Sequence, residues 1–335
     1  MKSKKTIYSP LVSILIPLHN SAQYFSSTIL TILNQTYPNL EIIFHNDCST
    51  DNTKELVEQI MKNDPRVKLI DSETNVGIGI SRNRLIEKAQ GEFIFFIDSD
   101  DEFVNNKVIE RCVKHLNPNI DILSTQFKYQ FDLKFGKPII NNMVKSLKIK
   151  PTALEYYLET TTFSWGHFIR LDFLKSCDVD FGKIPKYEDI AEMGNIFSKC
   201  KKFKKLMLYS IIYHRRNDTL SAFDDKFIEK IEHINQAYKL SLEMLYNNIK
   251  NDFSLEKINK MVNFLFMEHL SLISVYFLSI KNKEIKSKFK DYINQIFEQK
   301  ILKIYEGFNV KIRFHKISDF TVLLTKSLYK RSKNK

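Results

Sequence analysis

The sequence predicts an α/β fold, a mostly parallel sheet flanked by helices, with a mostly helical C-terminal extension. From residue 11 onward, apolar β-rich runs alternate with stretches of helical period, and a polar cluster follows each of several runs. Beyond residue 225 the period becomes helical throughout. Alternation of this kind demands a parallel sheet covered on both faces, with ligands gathering beyond the carboxyl ends of the strands near a switch in strand order.

The first strands are expected at Leu11–Pro17, Leu40–Asn46, Val67–Asp71 and Glu92–Asp98. Between them, Phe25, Ile29, Ile32 and Leu33, and then Leu56, Val57 and Ile60, keep the spacing of helix faces. Asn20 and Asp51 stand where the N-caps of those two helices belong. Residues 120–222 mix what read as short strands with loops, hold the single tryptophan, Trp165, and complete the same domain. The expected division is therefore 1–222 for an α/β domain and 223–335 for a helical, basic region. In the latter, Ile231, Ile234, Tyr238, Leu242, Leu245 and Ile249 recur every three or four residues. Met261–Ile280 is long enough to span a bilayer, but Asn263, Glu268 and His269 near its middle make a buried helix the better reading.

Composition narrows the class. Of 335 residues, 43% are hydrophobic and 27% charged, which suits a folded chain and excludes global disorder. The four cysteines, at 48, 112, 177 and 200, lack the short paired spacing of a zinc knuckle or a disulfide framework and fit a reducing cytosol. The first ten residues are polar and basic, and the apolar run that follows is short and contains Pro17, so a cytoplasmic location is expected. Net charge is +12, and residues 281–335 supply most of it, with 15 Lys and Arg against 5 Asp and Glu. Such a tail suits an anionic membrane surface, a nucleic acid or plain water, and water is the default. The spacing of Phe308, Phe314, Phe320 and Tyr329 among these charges fits a membrane-facing edge at least as well as a base-stacking platform, and no nucleic acid is expected. Gly77-Ile78-Gly79 lacks the third glycine of a dinucleotide fingerprint, because Arg82 occupies that position. A phosphate-binding loop ending in Lys-Ser or Lys-Thr is likewise missing.

The chemistry concentrates at the strand ends. Phe93-Ile94-Phe95-Phe96-Ile97 delivers Asp98, Asp100 and Asp101 to one rim, where three carboxylates repel one another unless a cation holds them. Oxygen ligands favour Mg2+ or Mn2+ over zinc. One aspartate is enough to cap the following helix, whose apolar positions begin at Val108; three in four residues exceed that need. Asp47 ends the second strand at the same rim, and Asn75, Gly77, Arg82 and Asn83 follow the third where a helix begins, a place suited to a phosphate.

Four segments together resemble the family 2 glycosyltransferases of GT-A (Rossmann-like) fold, the bacterial group that builds surface polysaccharides. They are Val12-Ser13-Ile14-Leu15-Ile16-Pro17-Leu18-His19-Asn20, Asn46-Asp47-Cys48-Ser49-Thr50-Asp51, the stretch 75–83, and Gly91 through Asp101. With later motifs the resemblance covers residues 11 to about 222. It implies that Pro17, Leu18 and Asn20 line a nucleotide pocket, that Asp47 hydrogen-bonds uracil, and that Asn75 and Arg82 lie near the nucleotide. It further implies that Asp98 and Ser99 touch the uridine or ribose and that Asp100 holds Mn2+ or Mg2+ on the diphosphate. His19 stands where the family usually has tyrosine, and Asn46 where it usually has aspartate.

Further along, Tyr187-Glu188-Asp189 resembles the family's Glu-Asp motif, which makes Asp189 the expected general base of an inverting transfer and Glu188 a neighbour of the acceptor or diphosphate. Without the upstream motifs, this segment reads as a polar turn before a helix. Trp165 corresponds to a tryptophan near the sugars, though a lone tryptophan is more often core. His214 and Arg215 resemble a segment whose basic residue approaches the diphosphate from a mobile loop, though such clusters are more often surface charge. The implied partners are a UDP-sugar donor and a glycan or lipid-linked glycan acceptor. For the C-terminal region, peripheral attachment to the inner face of the cell membrane and homodimer formation both stay open. The rival class is a non-catalytic adaptor that binds membrane or nucleic acid through the basic tail.

Overall fold

The computed structural model describes residues 8–131, 141–142, 152–159, 163–215, 227–279, 283–296, 300–301 and 303–306. The chain divides into two compact units, Met1–Thr219 and Leu220–Lys335.

The first unit opens as the alternation requires: β1 (Val12–Leu18), α1 (Ala22–Leu33), β2 (Leu40–Asn46), α2 (Thr53–Met61), β3 (Val67–Asp71), α3 (Ile78–Lys88) and β4 (Phe93–Phe96). After these come β5 (Glu102–Phe103), α4 (Val108–Val113), β6 (Ile122–Phe131), β7 (Asn141–Asn142), α5 (Ala153–Glu159), β8 (His167–Arg170), α6 (Leu171–Ser176), α7 (Glu188–Lys199) and β9 (Phe203–Arg215). One sheet runs β3-β2-β1-β4-β8-β6-β9-β5, with β7 beside β6. Its first four strands are mutually parallel, whereas β8 is antiparallel to both β4 and β6. Strand order reverses between β1 and β4, so a crevice opens beyond their carboxyl ends.

Burial explains the central strands. Val12, Ile14, Leu15, Ile16, Ile42, Ile43, Phe44, Phe93, Ile94 and Phe95 are all fully buried, as continuous apolar runs covered on both faces must be. At the far end of the sheet from the crevice, the Glu41 carboxylate receives Lys68 Nζ at 2.8 Å, Gln90 N at 2.6 Å and Gly91 N at 3.0 Å. Burial pushes its proton affinity up, but the bonds from Lys68, Ser13 and Gln90 outweigh that and hold it below the usual range.

The structure corrects three expectations. The fourth strand is shorter than Glu92–Asp98: the ladder ends at Phe96, because the chain turns so that Asp101 N reaches Asp98 O at 3.1 Å. Beyond residue 120, β7 and β8 are short as expected, but β6 and β9 are long, pairing in parallel from Ile122↔Phe203 to Phe131↔Arg215. Asn20 and Asp51 are not the N-caps, which are Ser21 and Asn52. Instead Asp51 accepts from Ala22 N at 3.0 Å and Thr53 N at 3.1 Å, serving the first turns of both helices at once.

The second unit contains α8 (Phe227–Ile249), α9 (Leu255–Ser279), α10 (Lys283–Ile296) and α11 (Lys303–Glu306). Every member of the expected α8 stripe, from Ile231 to Ile249, is buried. Of the helix expected at Met261–Ile280, residues 261–279 lie within α9 and Ile280 lies outside the described residues; no described helix is long and apolar enough to cross a membrane. His269 on α9 is fully buried, 2.9 Å from the Asn235 side-chain oxygen through Nε2 and 3.0 Å from the Tyr305 hydroxyl through Nδ1. An amide oxygen only accepts, so Nε2 carries the proton and Nδ1 accepts from Tyr305. Burial drives the imidazole's proton affinity down to about 3, and the ring stays neutral while stacked on Tyr238 at 4.5 Å. Phe308, Phe314, Phe320 and Tyr329 lie outside the described residues.

In the first unit Gly79 marks where α3 meets the turn at Phe181–Lys183: a Cβ there would stand 2.1 Å from the Phe181 carbonyl oxygen. Alanine gains about 1 kcal/mol of helix propensity over glycine, but overlap with backbone costs about 1–3 kcal/mol and more where nothing yields. Gly79→Ala is therefore expected to lower the melting temperature, which thermal unfolding followed by circular dichroism checks; a higher value would refute the close approach.

Candidate active site

The crevice is built by loops whose backbones are held in unusual conformations. Asn20 and Cys48 follow β1 and β2 with left-handed φ of 49° and 54°. These values turn the two loops toward each other: Asn20 N donates to Ser49 Oγ at 3.0 Å, and Thr50 N donates to Asn20 Oδ1 at 2.8 Å. Pro17 and Leu18 are buried beneath this loop, whereas His19 and Asn20 are exposed. The His19 ring is fixed by Nδ1 donating to the Asp47 carbonyl at 2.7 Å, and Asn75 Nδ2 lies 3.2 Å from the same nitrogen.

Asp47 is buried, and both its carboxylate oxygens are engaged from the next loop. Val76 N donates to one at 2.7 Å and Gly77 N to the other at 2.8 Å. Gly77 has φ 86°, where a side chain would be strained, and begins α3. Asp47 thus holds the Val76–Gly77 backbone at the start of α3 against the end of β2.

The aspartates after β4 separate. Asp98 accepts from Arg82 Nη2 at 3.0 Å; Asp101, fully buried, accepts from His214 N at 2.9 Å; Asp100 is half-buried at the turn between them. Ser99 Oγ accepts from Ser21 Oγ at 2.9 Å, which ties the turn to the start of α1. Of the three carboxylates, a guanidinium engages Asp98 and a backbone N–H engages Asp101. Among the described residues no three His, Cys, Asp or Glu side chains come together as a metal cluster.

Arg82 is buried on α3, over the Phe96 ring, and it pairs with Glu188 through Nη1 as well as with Asp98. Glu188 and Asp189 open α7, directly after Tyr187, whose φ is 62°. Removing one partner of a buried pair typically costs about 3–5 kcal/mol, so this triad is a strong local constraint. Asp189 accepts from the N–H of Ile190 at 2.9 Å. Its carboxyl is pushed up to about 6, first by burial and then by the Asp98 charge, with Arg82 opposing. A carboxylate tuned toward neutrality suits general base work.

Trp165 is buried and stacks on Phe163 at 4.3 Å and Tyr213 at 5.4 Å, with Phe127 edge-on at 4.8 Å. It belongs to an aromatic wall. His214 lies in strand β9, not in a loop, with Nε2 3.4 Å from Glu102 Oε1; Arg215 ends the same strand. Sequence reasoning missed the supports behind α7: Asn83 donates to Asp180 at 2.7 Å and accepts from Phe181 N at 3.0 Å, and Lys183 pairs with buried Glu192 at 3.0 Å. The polar run from Asp178 to Asp189 was the available signal, but its partners lie on other elements.

The family model for glycosyl transferase family 2 matches residues 13–173, from the second residue of β1 to beyond β8, and takes in the whole Asp98–Asp101 turn. Residues 13–173 are a family 2 glycosyltransferase domain. This family 2 chain is 38% identical over 103 residues to TuaG of Bacillus subtilis (strain 168), named as a teichuronic acid biosynthesis glycosyltransferase, a match covering 31% of this chain and 41% of TuaG. It is 28% identical to EpsH of the same organism, named as a glycosyltransferase, over 79% of this chain and 76% of EpsH. The chain spans under half the length of the first curated relatives it matches, 41% and 48%. Among solved structures, residues 1–349 of TarS from S. aureus superpose with a TM-score of 0.66 at 20% identity, covering 88% of this chain and 82% of that one. The fold is GT-A, a mixed curled sheet with flanking helices and a helical C-terminal region. TarS has also been solved with UDP-GlcNAc, and that complex superposes with a TM-score of 0.58 at 19% identity over 89% of this chain and 90% of that one.

The raised proton affinity of Asp189 has a thermodynamic sign. The folded chain prefers the protonated form, so the associated stability is present below pH about 4, the unfolded value, and is lost as pH rises through about 6. Asp189→Asn is expected to raise the melting temperature at pH 8, with the gain shrinking toward pH 4. Thermal scans across that range check it, and a lower melting temperature at pH 8 would contradict it.

Proposed function

We propose that this family 2 chain transfers a sugar from a nucleotide diphosphate, UDP in the first instance, to a hydroxyl of a glycan acceptor, with inversion at the anomeric carbon. The setting is synthesis of a bacterial surface polysaccharide such as a lipooligosaccharide, O-antigen or capsule. The carrying observation is Asp189, a carboxyl pushed up to about 6 at the head of α7 and coupled through Arg82 to the strand end that bears Asp98. The TarS complex with UDP-GlcNAc supports the donor, and the name of TuaG supports the setting.

In the step itself, Asp189 takes the proton of the acceptor hydroxyl. The oxygen bonds to the anomeric carbon from the face opposite the diphosphate, and the breaking carbon–oxygen bond leaves its electron pair on the diphosphate. Asp98, Ser99 and the Pro17–Asn20 loop are proposed to receive the nucleoside, with Asp47 and Asn75 at the base. Trp165 walls the sugar side, and His214 and Arg215 are the candidates for the diphosphate. Mn2+ or Mg2+ fits Asp100: a half-buried carboxylate supplies one oxygen ligand, and hard cations at phosphate sites take the rest from phosphates and water. Such an ion would stabilise the charge developing on the leaving group.

The deciding experiment is hydrolysis of a panel of nucleotide sugars with Mn2+, with Mg2+ and with chelator. One UDP-sugar is expected to turn over only with metal. Asp189→Asn should lower the rate by about 10²–10⁴-fold, the range of a single acid–base group, and Asp100→Ala should abolish the metal-dependent turnover. If no nucleotide sugar binds or turns over, the transferase reading fails and the adaptor class takes its place.

We further propose that the basic region 281–335, with a formal charge of +10, brings the chain to the inner face of the membrane and to a lipid-linked acceptor. Full-length protein should co-sediment with anionic vesicles at low salt and release at high salt. A chain that stays in the supernatant but sediments as a dimer points to self-association instead.

A further inference from the structure

Arg82 reaches in two directions, to Asp98 at the end of the donor-side strand and to Glu188 in the first turn of α7. The side chains of Arg82 and Glu188 are only 3% and 6% exposed, so Glu188 presents almost no surface to a ligand. Asp189, one residue further, is half-buried. Successive helical residues point about 100° apart, so a Glu188 pinned inward sets the direction of Asp189. Tyr187, just before the helix, holds a left-handed φ of 62°, a conformation that persists only where its surroundings over-determine it. The same face of α3 supplies the other restraints. Asn83 binds Asp180 and Phe181 N, and Gly79 admits the Phe181 carbonyl, so the segment leading into α7 is held from both ends.

We propose that Glu188 is a positioning residue: through its ion pair with Arg82 it fixes the first turn of α7, and with it the Asp189 carboxylate, against the strand end carrying Asp98, touching neither donor nor acceptor. This rests on the reading of Asp189 as the base. It departs from a place for Glu188 beside the acceptor or diphosphate, and it makes Arg82 the link between the two halves of the site.

The test compares hydrolysis of the UDP-sugar turned over by the full chain in native protein, Glu188→Gln, Glu188→Asp and Asp189→Asn, with UDP binding measured by calorimetry. Glu188→Gln is expected to lower kcat by about 10- to 100-fold, the scale of a misplacement of about 1 Å. KM for the donor and Kd for UDP should stay within about twofold, the pattern of an interaction that matters only in the transition state. Glu188→Asp keeps the charge and should recover part of kcat. If Glu188→Gln folds poorly, the same split is read from Glu188→Asp, with active molecules counted by UDP stoichiometry. A raised KM at native kcat makes Glu188 a substrate contact and overturns the proposal, as does native behaviour in both variants. Full turnover in Asp189→Asn removes the base assignment, and the positioning with it. Loss in Asp189→Asn beside native kcat in both Glu188 variants overturns the positioning alone.

Discussion

A buried guanidinium demands negative charge, and Arg82 finds it on two elements that the chain makes far apart. Asp98 lies 16 residues after it and Glu188 lies 106 residues after it, yet both side chains meet it beneath the crevice. Leaving the charge unpaired would cost several kcal/mol, so the strand end and the helix start are held at a fixed separation. The surrounding features serve that arrangement. Gly79 lets α3 come close, Asn83 secures the approach to α7, and Asp47 draws the loop before α3 onto the rim. The separation of the strand end and the helix start thus follows from how one cation is neutralised.

Much of the fold was legible because burial on both faces leaves a strong trace. Leu40–Asn46, buried throughout, matches its strand residue for residue, the half-buried edge strand Val67–Asp71 does so too, and the α8 stripe is buried as its spacing requires. The length of β6 and β9 was not legible. Lys204, Lys205 and Lys128 interrupt the apolar pattern, and the partner that makes each strand regular lies about 80 residues away. The two helix starts misread at Asn20 and Asp51 show a similar limit, since Asp51 serves a helix that precedes it in the chain.

The candidate site divides in the same way. Carboxylate density after β4 announced chemistry, and the rim position of Asn75, Asp47 and Asp98 followed from strand order. What each acid faces could not be read. Asp101 answers a backbone N–H at residue 214, and Asp98 answers a guanidinium, so a run of like charges dissolves into separate bonds once distant elements arrive. Asp189 stood out in the sequence through family resemblance; in the structure it follows Glu188, the partner of Arg82, in the first turn of α7. Trp165, ambiguous as a lone aromatic, lies in a stack with Phe163 and Tyr213.

Asn20, Cys48 and Tyr187 carry side chains yet hold left-handed backbone, and each adjoins a loop of the crevice. Such conformations are retained where neighbouring bonds leave no alternative. A rim restrained at those points is poorly suited to drift by loop remodelling. Diversification in such a scaffold would proceed by exchanging side chains on an unchanged trace. Two homologues with different sugars should then differ in the identities lining the crevice far more than in its path.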